Sequence, residues 1–251
     1  MSSIPISLII FACVFGGALL GMFLRGILPK SHLEGASKDV LKLVMGLLAT
    51  LTALVLSLLI ASAKSSFDAQ TSDVAEMSAK VVLLDRVLAN YGPEARDTRD
   101  LLRDVIVRNI DRLWPQERSQ ASKLTTPATG SDVLYQSIQA LLPKDNTQRT
   151  LQAQATNIVV SLGETRWLMY AQGANSISKP MLAILVFWLT VIFISFGLNA
   201  PANATVTSSL LVGALSVSGA IFLILELYAP YGGLITVSSA PLRDALAQLG
   251  R

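Results

Sequence analysis

Apolar and polar residues alternate in long blocks along the chain. Four runs stay apolar for about 20 residues, which is the length that a helix needs to cross a bilayer. A polar block of about 115 residues separates the second run from the third. The pattern therefore predicts four transmembrane helices in two hairpins, with spans at about residues 4–28, 40–63, 181–198 and 205–228.

The second span is predicted to leave the membrane without a break. Its apolar run ends at Lys64, and neither glycine nor proline occurs again before Gly92. Past Lys64, apolar side chains recur at spacings of three, four or seven residues, as in one seam of a packed helix or coiled coil. We expect one long exit helix to about residue 91, whose seam is formed by Phe67, Val74, Met77, Val81, Leu84 and Leu88.

Further helical periodicity follows, and the chain is expected to be all-α. The predicted parts are a first hairpin (1–63), a helical extramembrane domain (64–179), a second hairpin (180–230) and an amphipathic tail (231–251). The tail carries its apolar face on Leu242, Leu246 and Leu249, and is expected either on the membrane surface or docked on the helical domain.

Composition agrees with a membrane protein and excludes several other classes. Hydrophobic residues make up 52% of the chain, charged residues only 15%, and the mean hydropathy is +0.54. The polar block is almost neutral, with 14 Lys and Arg against 13 Asp and Glu from Lys64 to Lys179. Nucleic-acid binding requires clustered basic residues. We therefore expect no nucleic-acid partner.

The sequence contains no recognisable catalytic or metal-binding motif. Cys13 is the only cysteine and His32 the only histidine, so an internal disulfide, a Cys-based metal site and a histidine triad all lack their parts. Nucleotide-binding and hydrolase motifs are also missing. We predict no catalytic residue, no metal site and no cofactor.

Small and weakly polar residues form a stripe along one face of the second span. Two interpretations remain open from the residues alone. Small side chains allow helices to pack closely, but they could also line the pore of an oligomer, with two charged residues at its mouth. The stripe consists of Gly46, Thr50, Ala53, Ser57, Ala61, Lys64 and Asp68.

Two other spans carry candidate residues. Gly17 and Gly21 on the first span, like Ser216 and Gly219 on the fourth, are predicted to serve helix packing. Glu226 is the only acidic residue inside a span, which makes it a functional candidate. Because it lies near the helix end, it could also reach interfacial water or pair with Lys64 or Arg25.

The segments LIASAKSSFDAQ, LLDRVLANYGPEA and SSAPLRDALAQL resemble the bestrophin-like membrane proteins of bacteria and plants. The resemblance implies a pentameric, anion-conducting channel whose second span lines a central pore. Two features depart from bestrophins. No aromatic residue lies between Val40 and Ser66, and no acidic run resembles a calcium clasp. Calcium gating is therefore not expected.

Taken together, the sequence favours an oligomeric ion channel, with the lipid bilayer, small ions and identical subunits as partners, and the resemblance implies that it conducts anions. The alternative is a non-conducting membrane scaffold or sensor that binds a partner through its extramembrane helices. We expect a bacterial inner-membrane location. Six basic residues flank the side of the helical domain against four on the other side, which predicts that this domain and both termini are cytoplasmic. The six are Lys64, Lys80, Arg166, Lys179, Arg243 and Arg251, and the four are Arg25, Lys30, Lys38 and Lys42.

Overall fold

The structure, a computed structural model, describes residues 3–27, 36–114, 130–173, 179–201 and 203–250. Within these ranges all regular structure is helical, which confirms the predicted all-α class. Lys30, His32 and Arg251 lie outside the described residues. The helices are α1 (Ser3–Ile27), α2 (Ala36–Tyr91), α3 (Arg96–Leu113), α4 (Gly130–Gln139), α5 (Asn146–Gly173), α6 (Lys179–Asn199), α7 (Ala204–Leu227) and α8 (Ala240–Gln248), with a short 3-10 turn at Pro93–Ala95.

Four of the described helices, α1, α2, α6 and α7, are long and apolar enough to cross a membrane. Helix α2 is continuous over 56 residues, or about 84 Å at 1.5 Å per residue. The predicted continuation of the second span is thus confirmed. The helix ends where Gly92 takes a φ of 125°, a left-handed conformation that glycine adopts without steric cost.

The chain divides into two compact units. The first comprises Met1–Ser66, Ser176–Ala229 and Gly233–Ile235, and is called the membrane unit below. The second, called the helical unit, comprises Phe67–Asn175, Pro230–Gly232 and Thr236–Arg251.

Close backbone contact holds α1 and α6 together in the membrane unit. A Cβ atom on Gly21 would overlap the backbone carbonyl oxygen of Ile194, and one on Gly197 would overlap that of Ala18. A Cβ on Gly17 would lie 3.1 Å from the Thr190 Cγ2 atom. The contacts advance along both helices in the same direction, so α1 and α6 run parallel. Glycine is required here because only its missing side chain lets the two backbones approach.

Large apolar side chains fill the helical unit. Its core is formed by the seam of α2 together with residues from α3, α4, α5 and α8. Fully buried members include Leu84, Leu88, Leu102, Ile138 and Leu242. The seam therefore packs against other helices of the same chain.

Polar contacts join the C-terminal tail to the helical unit. The Arg99 guanidinium donates two hydrogen bonds to the buried Asp85 carboxylate, at 2.7 and 2.8 Å. The Asp85 carboxylate also accepts from the Gly250 backbone nitrogen at 3.4 Å. The indole nitrogen of Trp114 donates to the carbonyl oxygen of Val237 at 2.7 Å. The tail is thus docked on helices of its own unit.

Candidate functional site on helix α2

The membrane stretch of α2 uses one face to contact its own unit. Thr52, Leu59 and Ala63 are buried there, and Leu59 and Ala63 belong to the apolar core of the membrane unit. At the end of this stretch, the hydroxyl groups of Ser62 and Tyr228 form a hydrogen bond of 3.1 Å. The remaining surface of the helix is left for lipid, water or another chain.

The predicted stripe lies on that remaining surface. All seven of its residues are exposed in the single chain: Gly46, Thr50, Ala53, Ser57, Ala61, Lys64 and Asp68. A Cβ added to Gly46 would meet nothing within 4 Å in the described part of the chain. The small residues of this stripe therefore do not serve packing against the described helices of the same chain.

The stripe is weakly polar because of its hydroxyl groups. The Thr50 hydroxyl donates to the carbonyl oxygen of Gly46 at 2.9 Å, one turn earlier on the same helix. Its oxygen lone pairs remain available on the exposed surface. At the end of the apolar stretch, Lys64 and Asp68 are four residues apart and thus on the same side of α2. A ring of such helices would present small side chains and hydroxyl groups, followed by charges of both signs.

Two of the three candidates on the fourth span lie on the exposed surface, and the third, Glu226, is buried. Ser216 and Gly219 are exposed, and a Cβ on Gly219 would meet nothing within 4 Å in the described residues. The described residues therefore leave this pair uncovered. The Ser216 hydroxyl donates to the Val212 carbonyl oxygen of its own helix at 2.8 Å.

Glu226 is buried, with 3% of its surface exposed. Its Oε2 atom accepts hydrogen bonds from the backbone nitrogen of Leu234, and from that of Ile235 at 3.4 Å. Gly233 lies so close that a Cβ atom there would overlap the carboxylate. These contacts fix the turn that follows α7. They give Glu226 a positioning role, which the sequence pattern did not indicate.

Residues that the sequence analysis missed also contribute to this part of the molecule. Ser62 and Tyr228 link α2 to the end of α7, and Gly197 completes the glycine contact with α1. Gln70 occupies a seam position on α2 and is buried. Among the described residues, no group of three or more His, Cys, Asp and Glu side chains is arranged to hold a metal ion.

The fold and the exposed stripe together define a multi-span helical membrane protein with one long helix that extends from the apolar stretch into a helical unit. A family model described as the Bestrophin-like domain matches residues 12–242. The chain therefore belongs to the bestrophin-like family, as the sequence segments predicted. No curated protein and no solved structure matches the chain.

Proposed function

We propose that this protein is an oligomeric ion channel whose pore is lined by the exposed stripe of α2. The observation that carries the proposal is the exposure of all seven stripe residues. Family membership supports it, because the chain is related to bestrophin channels. Anions are the expected permeant ions on the same ground. The proposal includes no catalytic residue and no cofactor.

Of the two interpretations that the sequence left open, the exposed stripe supports the pore. Close packing within the chain is carried by Gly17, Gly21 and Gly197, where added Cβ atoms would collide with the facing helix. Helix α2 places its small residues where no described helix of the same chain covers them. A pore in a ring of subunits is a surface that would use them, since small side chains and hydroxyl groups leave room for a hydrated ion.

The scaffold alternative depended on the α2 seam as a surface for a partner helix. Val74, Val81 and Leu84 have no exposed surface, and they belong to the core of the helical unit. A partner helix could reach them only if that core opened. The seam is thus an internal packing surface, which favours the channel over this form of the scaffold.

The test is ion flux from liposomes that contain the purified full-length protein, with chloride and potassium assayed separately. The Ser57→Trp variant places the largest side chain in the middle of the stripe, so flux should fall at least about tenfold if the stripe lines the pore. Lys64→Glu reverses a charge at the proposed mouth and should lower the ratio of chloride to potassium flux.

Ser209→Trp is the matched control, because Ser209 is also an exposed serine on an apolar helix, α7. It should conduct like the wild type. Equal flux from wild type, Ser57→Trp and Ser209→Trp, at equal reconstitution, would exclude α2 as the pore wall. No flux above empty liposomes from folded wild-type protein would reject the channel itself.

A further inference from the structure

Three buried oxygen atoms without a hydrogen-bond partner occur in the helical unit close to the start of its α2 segment. They are the Gln70 Oε1, the Asp73 Oδ2 and the Tyr231 hydroxyl oxygen. Buried polar atoms are nearly always paired, because an unpaired one loses its bonds to water without replacement. Two such acceptor atoms one turn apart on the same helix, those of Gln70 and Asp73, call for a missing donor.

Helix geometry places Gln70 and Asp73 together. They are three residues apart on α2 and so are neighbours one turn apart. Gln70 is only 2% exposed and sits in the seam between Phe67 and Val74, where it faces the core. Tyr231 approaches from the segment after α7. Its ring packs edge-on against Trp114 at 5.5 Å between centroids.

The charge of the Asp73 carboxylate affects the pKa of the Tyr231 phenol. Burial is the larger cause that raises the pKa of Tyr231 to about 12, and the negative charge of Asp73 raises it further. The phenol therefore stays protonated near neutral pH. Its hydroxyl group nevertheless bonds neither the Asp73 Oδ2 nor the Gln70 Oε1 atom, since all three oxygen atoms lack a partner. The two acceptors on α2 are therefore left without a donor.

The ammonium group of Lys80, a cation on the same helix, already has other hydrogen-bond partners. Lys80, two turns along α2 from Asp73, donates to the Ser161 and Thr165 hydroxyl groups at 2.6 and 3.0 Å. It also pairs with the Glu76 carboxylate at 2.6 Å. Its ammonium group is thus directed to α5 and to Glu76, and the Asp73 Oδ2 atom receives no hydrogen bond from it.

We propose that Gln70 and Asp73 form a proton-binding site, in which a proton on the Asp73 carboxyl group supplies the missing donor. The protonated carboxyl donates to the Gln70 amide oxygen, one turn earlier on α2, and the proton removes a negative charge from a carboxylate whose Oδ2 atom is buried. The ligand is a hydrogen ion, and the site needs no metal. The proposal does not depend on conduction, because the site belongs to the helical unit alone.

The pKa of the Asp73 carboxyl group is shifted in the direction that the proposed protonation requires. Burial, followed by the charge of Glu76, raises the pKa of Asp73 above its ordinary value of 3.8, and Lys80 partly opposes this. Glu76, Lys80 and Tyr231 are the titratable groups that act on this carboxyl or are acted on by it. A folded-state pKa above the unfolded one means that the folded protein binds more protons. Stability should therefore fall as pH rises from about 4 through the raised pKa.

The experiment measures the thermal midpoint, Tm, of the detergent-purified full-length chain from about pH 4 to about pH 8 in constant potassium chloride. Wild-type Tm should decline across this range by at least about 3 °C relative to Asp73→Asn, which carries a neutral amide that can donate. Asp104→Asn, an exposed carboxylate on α3, is the matched control and should keep the wild-type profile. Gln70→Met should flatten the profile, because it removes the acceptor for the proton.

Each outcome decides the proposal. A wild-type decline that is lost in Asp73→Asn and kept in Asp104→Asn supports the proton site. Parallel profiles for wild type and Asp73→Asn overturn it, since an ordered water would then satisfy the three oxygens at every pH. Replacement of potassium by N-methylglucamine at fixed pH should leave Tm unchanged. If this replacement lowers the Tm of the wild type but not that of Asp73→Asn, the site binds a metal cation, and the proposal is overturned.

Discussion

The membrane unit and the helical unit differ in how closely their helices approach one another. In the membrane unit, α1 and α6 meet where side chains are missing, at Gly21 and Gly197. In the helical unit, the helices meet through large buried side chains such as Leu84 and Leu102. The buried residues are apolar in both units, so the difference does not follow from hydrophobicity alone.

The solvent explains the difference. In water, burial of apolar surface drives helices together, and large side chains bury the most. In lipid, the tails are as apolar as leucine, so burial gains little and association depends on close van der Waals contact. A glycine that admits a neighbouring backbone is therefore worth more in the membrane unit. The glycine contact of α1 with α6 should accordingly be sensitive to added side-chain volume, and the core of the helical unit to its removal.

The largest effect is expected from a truncation in the helical unit. Leu84→Ala removes a side chain with no exposed surface and should lower the free energy of unfolding by about 3 kcal/mol, through lost burial and a residual cavity. The measurement is urea unfolding of the full-length protein in detergent. Leu83→Ala, one residue earlier and 46% exposed, should change it by less than about 0.5 kcal/mol. Equal losses at both positions would contradict the packing described for this core.

An enlargement in the membrane unit should have the next largest effect. Gly21→Ala adds a methyl group against the Ile194 backbone and should cost about 2 kcal/mol, because α1 and α6 must move apart. Thermal unfolding in detergent measures the loss.

Gly16 lies on the same helix and offers a control of opposite sign. A Cβ there meets nothing within 4 Å in the described residues, and alanine is the better helix former by about 1 kcal/mol. Gly16→Ala should therefore be neutral or stabilising. If Gly16→Ala and Gly21→Ala destabilise equally, close backbone contact is not what holds α1 to α6.

Much of the helical unit could be predicted from periodicity. The spacing of apolar residues correctly identified the seam of α2, and five of its six residues are buried while Phe67 packs partly buried against them. Gln70 was missed because a polar residue at a seam position does not register in an apolar pattern. Its burial depends on residues that pack against α2 from elsewhere in the chain, which a pattern along α2 does not contain.

The membrane candidates show where periodicity stops being informative. It placed Gly21 and Gly46 on small-residue faces of α1 and α2, yet one lies against a backbone and the other is open. Which face a neighbour covers is a tertiary property that the local pattern does not contain. For the same reason the position of Glu226 near the end of α7 was predictable, whereas its backbone donors at Leu234 and Ile235 were not.

The smallest effect should come from one hydrogen bond that fixes the tail. Trp114→Phe keeps an aromatic ring beside Tyr231 but removes the donor to the Val237 carbonyl, which then stays buried without its partner. The cost should be about 1 kcal/mol. A loss of about 1 kcal/mol raises the fraction of molecules with an undocked tail about fivefold. Trypsin cleavage after Arg243 should therefore accelerate by a similar factor. Tyr135→Phe also removes one donor from an aromatic side chain, at a position 40% exposed, and should leave the rate unchanged. Equal rates in both variants would show that packing of α8, and not this hydrogen bond, holds the tail. The helical unit would then depend on its large side chains more strongly than on its polar contacts.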